Sequence, residues 1–430
     1  METDVQITID VPDDKVFYLC EHGSFESEHI PYIVSLGLEF VETEYEGVPK
    51  YLGITPDLKA SYYIGADWLT AKKAVVVIPK MQDIDYISMF MSALKKSQSA
   101  SYFSKFYGIE FSKPKIESKA LDCILTPLIV IHFLTAVCRL LEKGLKKGYI
   151  IREENLQAKI KGKVMMSQQY AKNIVNGRKG RMMCVYQEYS EDIPENRLIK
   201  KALLYIKRVI SNMQSLQMHK MSFEINKMFN KSFAAFIHVS DDIDVSSVRS
   251  IQKNKLYGDY GEAIRLAKLV LKRYDYSIDN IQSDCKLVPP FWIDMSRLYE
   301  VYVYNLLDEA YPHQIKFQVE GNYRTAVDFL KMDEKLIMDA KYKPYYGSSN
   351  SRIIDDIREI SGYARDEKIL EELGVNQDDS VPNCLIIYPQ IEDGDMIKLN
   401  GGNSILLEAK CIDGFKRFYK VCIPVPKVTR

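Results

Sequence analysis

The chain has 430 residues, 47% of them hydrophobic and 27% charged, which excludes wholesale disorder and exceeds what one small core accommodates. Lys+Arg and Asp+Glu each total 58, so the formal net charge is zero and a simple basic DNA-coating protein is excluded. Eight cysteines, at 20, 123, 138, 184, 285, 384, 411 and 422, form no CxxC pair, and with six scattered histidines they argue against a structural zinc site.

The N-terminus, METDVQITID, is acidic and carries no apolar signal region, so reduced thiols in a cytoplasmic protein are the expectation. Residues 1–115 read as a strand-rich domain: VQITIDV, KVFYLC, LEFVETEY, SYYIGADWL and KAVVVIPK are short β-branched or aromatic runs broken by Gly, Pro and Asp. Residues 1–50 hold twelve acids against two lysines. His22 and His29 lie in this acidic stretch and read as surface residues rather than metal ligands.

Residues 116–285 switch to helical periodicity in LTPLIVIHFLTAVCRLLEKGLKKG, RLIKKALLYIKRVISNM and GEAIRLAKLVLKRYDY. The apolar run from Cys123 to Cys138 is 16 residues, short of the roughly 20 a bilayer needs, and reads as a buried core helix with His132 satisfied inside it; no membrane contact is expected. Asp192, Pro194 and Glu195 form a helix-start signal. Residues 139–181 hold twelve Lys/Arg against three Glu. Opposite charge in these two stretches implies surfaces that meet different partners.

Pro289-Pro290 marks a boundary, and residues 286–430 read α-β-β-β-α-β. WIDMSRLYEVYVYNLLDEA is an expected helix, with Trp292 anchoring it. QIKFQVE, TAVDFLK and KLIMDAK are expected strands, IIDDIREISGYARDEKILEEL a long helix, and NCLIIYP a closing strand. The cysteines 384, 411 and 422 read as small apolar residues in strands. The fold class is therefore α+β: a strand-rich N-terminal domain, a helical middle region, and a C-terminal domain with a mixed sheet flanked by helices.

A two-residue turn at Asp333-Glu334 would pair positions whose numbers sum to 667, setting Asp328 opposite Asp339 with Lys341 on the same face. Two carboxylates at that spacing suit one Mg²⁺ (or Mn²⁺). The ion would lower the pKa of a bound water, while Lys341 supplies positive charge for the attack. Glu300, on the preceding helix, is the third acid able to reach the metal, and the backbone carbonyl of Ala340 is a further ligand. An acid-x-Lys triplet is common in this chain. The serious rival is Glu408/Lys410 with Asp395 opposed across a turn at Gly401-Gly402; only 20 residues follow it, without a helix.

TAVDFLK with LIMDAKYK, and Glu300 in an upstream SRLYE helix, resembles the PD-(D/E)xK nuclease core, with Ala326-Val327 where the family name has its proline. The wider chain resembles the McrC family, the nuclease subunit of McrBC modification-dependent restriction systems. The resemblance runs through SYYIGADWL, VVVIPK, LLEKGLKKGYI, LQAKIKGKV, EDIPENRLIKKAL, SRLYEVYVYNLL, DAKYKP and DIREISGYARD. Glu359 stands in the helix after the motif, where related sequences often carry Gln. The resemblance implies a Mg²⁺-dependent endonuclease in a hetero-oligomeric complex with a McrB-like AAA+ GTPase, acting on double-stranded DNA bearing 5-methylcytosine-type modification. It implies partner binding through the N-terminal domain. The chain has no G-x4-G-K-[ST] phosphate loop of its own. The basic stretch, including Lys143, Lys146, Lys147, Lys159, Lys161, Lys163, Arg178, Lys179 and Arg181, is the candidate DNA-backbone surface, joined by Lys343. The competing classes are a non-catalytic adaptor that activates a motor NTPase and a stand-alone nuclease.

Overall fold

The computed structural model describes residues 15–41, 49–81, 84–94, 105–214, 219–248, 258–273, 287–343, 353–375, 381–391, 399 and 403–427. The α+β class holds, but the chain forms two compact units where three domains were expected: Met1–Leu125 joined with Lys286–Arg430, and Thr126–Cys285. The expected boundary at 286 coincides with a boundary between the units, but the N-terminal and C-terminal segments are one unit, because the residues just after 286 pair with N-terminal strands.

Strands β1 (Val16–Cys20), β2 (Tyr63–Trp68) and β3 (Ala74–Ile78) follow the expected runs KVFYLC, SYYIGADWL and KAVVVIPK, while β4 (Tyr107–Ile109) is not among the expected strands. VQITIDV lies outside the described residues. The start of LEFVETEY, 38–41, is coil rather than strand: Leu38 and Phe40 cover the core around Phe17, Ile33 and Val75 without joining the sheet. A short strand, β5 (Ile116–Glu117), closes this segment.

In the second unit, β6 (Gly148–Gln157), β7 (Lys163–Val164) and β8 (Arg181–Ser190) form an antiparallel three-stranded ribbon in the order β6-β8-β7. The middle region is thus not purely helical. The helices Pro194–Gln214 and Gly258–Arg273 match the expected periodicity, and His219–Ala235 is a further helix between them that is not among those expected. Asp192 does not use its carboxylate as the expected helix cap. It accepts from Nε and Nη2 of Arg197, at 2.8 Å each, and from the backbone amide of Ser240 at 2.9 Å. The apolar helix runs Lys119–Glu142, longer than its sequence signal. Among the described residues its Ile124–Glu142 stretch is the one long and apolar enough to cross a membrane, and 78% of it is buried inside the protein. His132 is satisfied there by Glu262 at 2.9 Å, and burial lowers its pKa.

The chain then returns to the first unit. β9 (Leu287–Val288) pairs with β5, and β10 (Phe291–Asp294) pairs antiparallel with both β2 and β4. Trp292 and Ile293 therefore lie in a strand, not in the expected helix, which begins only at Met295 and runs to Ala310. Trp292 packs edge-on against Tyr63 with ring centroids 5.8 Å apart. Gly108 makes room for it, since a Cβ there would meet the indole at 2.6 Å.

The second sheet of this unit contains β11 (Ile315–Glu320), β12 (Ala326–Lys331), β13 (Leu336–Ala340), β14 (Asn383–Ile391), β15 (Lys410–Cys411) and β16 (Phe418–Val425), in the order β11-β12-β13-β14-β16-β15. The β11-β12-β13 meander is antiparallel, and β13, β14 and β16 are parallel, so the sheet is mixed. Neighbouring residues of β12 face opposite ways. Phe329 stacks on Phe317, which stacks on Tyr304 of the helix Met295–Ala310. Leu330 joins Ile337, Ile357 and Ile360 in one core, so the helix Ile354–Tyr363 covers the other face. The expected long helix is two: Ile354–Tyr363 and Glu367–Glu372, the second capped by Asp366 accepting from the Lys368 amide. Cys384, Cys411 and Cys422 lie in strands, and all six cysteines among the described residues are free thiols.

Candidate active site

The hairpin β12-β13 keeps the expected register. Phe329 pairs with Met338, Leu330 with Ile337 and Lys331 with Leu336. The loop between them is four residues, 332–335, rather than two, and the symmetric widening leaves every opposed pair unchanged. Continuing the register sets Asp328 across from Asp339. Both are buried, as is Glu300 on the helix Met295–Ala310.

Contacts link these groups into one cluster. The backbone amide of Ala340 donates to Asp328 Oδ2 at 2.9 Å. Gln318 Nε2, from β11, lies 3.2 Å from both Glu300 Oε2 and Asp328 Oδ1. Lys341 Nζ stands 2.9 Å from Asp339 Oδ2 and 2.8 Å from Glu359 Oε2. Glu359 in turn accepts from the Tyr363 hydroxyl at 3.0 Å. Despite the nearby ammonium, Asp339 Oδ2 receives no hydrogen bond of good geometry and is fully enclosed.

The electrostatics are those of excess buried negative charge. Burial, then the charges of Asp328, Asp294 and Asp339, push the Glu300 carboxyl well above the usual range. Burial and Asp339 do the same to Asp328, with Lys341 opposing. Asp339 is raised by burial while Lys341 holds it back. Burial opposes the charge on Lys341, but Asp339 and Glu359 overcome it and hold the ammonium firmly protonated. A set of buried carboxylate oxygens is the donor chemistry a hard divalent cation takes. The three residues fit such an ion, although their oxygens do not all converge within 4.8 Å. Among the described residues, that spacing is met only by Glu26, Glu28 and His29, two of them exposed at the surface.

Four residues that sequence reasoning passed over belong to this environment. Asp294 caps the helix bearing Glu300 by accepting from the Arg297 amide at 3.1 Å, and burial raises its carboxyl to about 6. Glu21 and Lys80 form an ion pair at 3.1 Å beyond the sheet β1-β3, with burial raising Glu21 to about 7. Lys80 Nζ also donates to the Tyr342 carbonyl at 2.7 Å and lies 4.1 Å from that ring's centre, fastening the residue that follows Lys341. Gln318 is the fourth. Lys80 ends the run VVVIPK, the one visible signal among them.

The rival triplet is described only at Glu408 and Lys410. Asp395 and the Gly401-Gly402 turn lie outside the described residues. Ile405–Leu407 is a 3-10 turn ending at Glu408 rather than a strand, so Glu408 has no ladder position to be opposed. Lys343, expected among the DNA contacts, pairs with Asp356 at 2.8 and 2.9 Å.

The other basic residues divide by what they touch. Lys143 pairs with Asp259 at 2.6 Å, Lys146 with Glu195 at 2.7 Å and Lys147 with Glu191 at 3.2 Å, so these three are internal partners. Lys159, Lys163, Arg178, Lys179 and Arg181 stand exposed at the far end of the ribbon, with no acid paired to them among the described residues. Lys161 lies 3.9 Å over the Tyr186 ring. The ribbon end is braced by a buried amide network. Gln169 Oε1 accepts from the Met183 amide and from Asn173 Nδ2, both at 2.7 Å, and Asn173 and Asn155 exchange two bonds of 2.9 Å. Gly162, at φ +67°, lets the loop return against β8, where a Cβ would meet the Val185 carbonyl at 2.4 Å. Ile160, Met166, Tyr170, Ile174 and Val175 are also exposed at this end.

The McrBC 5-methylcytosine restriction system component family matches residues 58–356. The chain belongs to this family. The resemblance read from its motifs is borne out at that level, and the match spans the carboxylate cluster from Glu300 to Lys341. No curated protein sequence matches the chain. Two solved structures resemble it distantly. One is the refined half-complex from a tetradecameric assembly of Thermococcus gammatolerans McrB AAA+ hexamers with bound McrC, at 14% identity, covering 96% of this chain and 95% of that one with a TM-score of 0.40. The other is the cryo-EM structure of the Thermococcus gammatolerans McrBC complex, at 15% identity, covering 69% and 88% with a TM-score of 0.31. As a McrBC-family chain, this protein is a component of a restriction system.

Proposed function

We propose that this McrBC-family chain is the nuclease subunit of a modification-dependent restriction complex, hydrolysing phosphodiester bonds of double-stranded DNA in the cytoplasm. One observation carries the reading: three buried carboxylates, Glu300, Asp328 and Asp339, gathered beside the Lys341 ammonium. A scaffold gains nothing from like charges that burial and repulsion drive toward protonation, whereas perturbed acids of this kind are what metal-assisted chemistry uses.

The donor set suits Mg²⁺ or Mn²⁺, which when bound lowers the pKa of water and polarises a phosphoryl group. Asp328 and Asp339 would hold it, with Glu300 as a third acid and the Ala340 carbonyl as a main-chain ligand. The Ala340 amide fixes the orientation of Asp328 by its 2.9 Å bond. Lys341 presents a compact positive charge where negative charge develops on the phosphate, and Asp339 and Glu359 keep it protonated throughout. The absence of a phosphate loop supports a division of labour in which a separate McrB-like AAA+ GTPase hydrolyses nucleotide and this chain stimulates it.

The ribbon end has two readings. Its exposed Lys159, Lys161, Lys163, Arg178, Lys179 and Arg181 suit DNA phosphates. Its exposed Ile160, Met166, Tyr170, Ile174 and Val175 favour a protein partner, because phosphate contacts need no apolar side chains.

The deciding experiment is cleavage of 5-methylcytosine-containing plasmid by this chain with its GTPase partner and Mg²⁺, comparing wild type with Asp339→Ala. Cleavage lost in the variant, with GTP hydrolysis still stimulated, is the expected result. A variant that cuts as well as wild type removes the site assignment. A wild type that stimulates hydrolysis and never cuts leaves the adaptor.

A further inference from the structure

We infer that Gln318 is a positioning residue that ties Glu300 to Asp328 and orients the two acids toward a shared divalent cation. Two independent observations carry this. The first is contact: its single amide nitrogen reaches Glu300 Oε2 and Asp328 Oδ1, both at 3.2 Å, joining a helix carboxylate to a strand carboxylate. The second is backbone conformation. Gln318 adopts φ +51°, the left-handed region, and among the described residues it is the one non-glycine residue that does so inside a β-strand. Phe317 pairs with Phe329 and Val319 with Val327 on either side of it, so the register carries on without an inserted residue while the ladder is interrupted at Gln318 itself, opposite Asp328. No bulge accounts for the strained conformation. Strain of this kind persists where surrounding structure enforces it, and here it accompanies a side chain aimed at two acids.

The chemistry of the amide explains why glutamine serves. A lysine or arginine in its place would neutralise the carboxylates and compete with a cation for their charge. An aspartate or glutamate would add a further like charge to a buried set. A neutral N–H donor ties two acids together while leaving their negative charge available. The bonds it makes use one oxygen of each acid, and the second oxygen of Asp328 is engaged by the Ala340 amide, so the orientation of Asp328 is fixed from both sides.

This inference rests on the metal-site reading above, and its test separates the two. The full-length chain is titrated with MnCl2 and with MgCl2 by calorimetry, as wild type, Gln318→Met and Gln318→Gly, and each protein is melted in chelator. Methionine keeps the length and loses the donor; glycine loses the donor and relieves the left-handed strain. Both variants are expected to bind Mn²⁺ at least tenfold more weakly than wild type, while the glycine variant melts at or above the wild-type temperature in chelator. Variants that bind within twofold of wild type overturn the role of Gln318 and leave the metal site standing. A wild type that takes up neither ion removes the metal site itself, and this role with it.

Discussion

Lys341 holds its ammonium 2.9 Å from the carboxylate of Asp339, two residues earlier in the same chain segment, yet that carboxylate oxygen receives no well-formed hydrogen bond. The pair is an electrostatic contact left incomplete on the acid side. Asp339→Asn removes the buried charge without stranding Lys341, because Glu359 still lies 2.8 Å from the amine. The variant is expected to lose DNA cleavage by at least ~10³-fold, as removal of a central catalytic group does. In chelator it should gain roughly 1–2 kcal/mol of stability, since active-site charge is kept at the expense of stability. Cleavage rates and chelator melts on the same preparation check both signs, and a destabilised Asn variant would contradict the argument.

Glu359 shares Lys341 with Asp339 and raises the carboxyl of Asp339 by like charge. Glu359→Gln removes that repulsion and keeps one acceptor oxygen for Lys341, its amide NH2 then facing the Tyr363 hydroxyl, which can accept in its turn. Because Asp339, the larger of the two charges that favour the ammonium, remains beside the amine, cleavage by this variant should stay within about tenfold of wild type, whereas Lys341→Met should lose ~10²-fold or more. Single-turnover rates at saturating Mg²⁺ distinguish them. Equal losses in the two variants would make Glu359 a direct participant.

The hairpin was legible in the sequence because register depends on a sum. A turn widened by one residue on each side, as at 332–335, leaves Asp328 opposed to Asp339, whereas a slip of one residue would have moved every side chain to the other face. Other features had no local signal. Trp292 and Ile293 continue the apolar pattern of the following helix, and only distant partners, Gly65, Gly108, Ile64 and Tyr107, make them strand. The helix after the motif breaks at 364–366, where Asp366 takes the role of a cap inside what reads as one amphipathic run. The ribbon β6-β8 joins residues separated by 158–180, and its exposed flank hides the alternation that marks a half-buried strand. Gln318 was invisible because its importance lies in a left-handed φ and in two acids from other elements.

Asp294 supplies a pH dependence with a definite sign. Its carboxyl is raised by burial from an ordinary 3.8 to about 6 in the folded chain. The folded state therefore binds the proton more tightly than the unfolded state, and this group's contribution to stability falls as pH rises between about 4 and 6. Asp294→Asn keeps the helix cap and cannot ionise. The variant should match wild type near pH 4 and become more stable than it by up to roughly 3 kcal/mol above pH 6. Urea unfolding across pH 4–8 measures the difference, and a constant offset across that range would sink it.

The ribbon end separates its two partners by salt. Lys159, Lys163, Arg178, Lys179 and Arg181 carry no paired acid among the described residues, so alanine at each should leave folding intact. On the DNA reading, each lost phosphate contact reduces the slope of log affinity against log salt by ~0.9, whatever the sequence of the DNA. Lys143→Ala, Lys146→Ala and Lys147→Ala should leave that slope unchanged and cost up to ~1 kcal/mol of stability each, because these side chains hold Asp259, Glu195 and Glu191. Replacing Ile160 and Tyr170 with serine removes exposed apolar surface and no charge. On the partner reading, the serine variant binds DNA as wild type does and fails to stimulate GTP hydrolysis. The alanine set leaves the salt slope untouched only if DNA never meets this end of the ribbon, and that result would assign the surface to the partner alone.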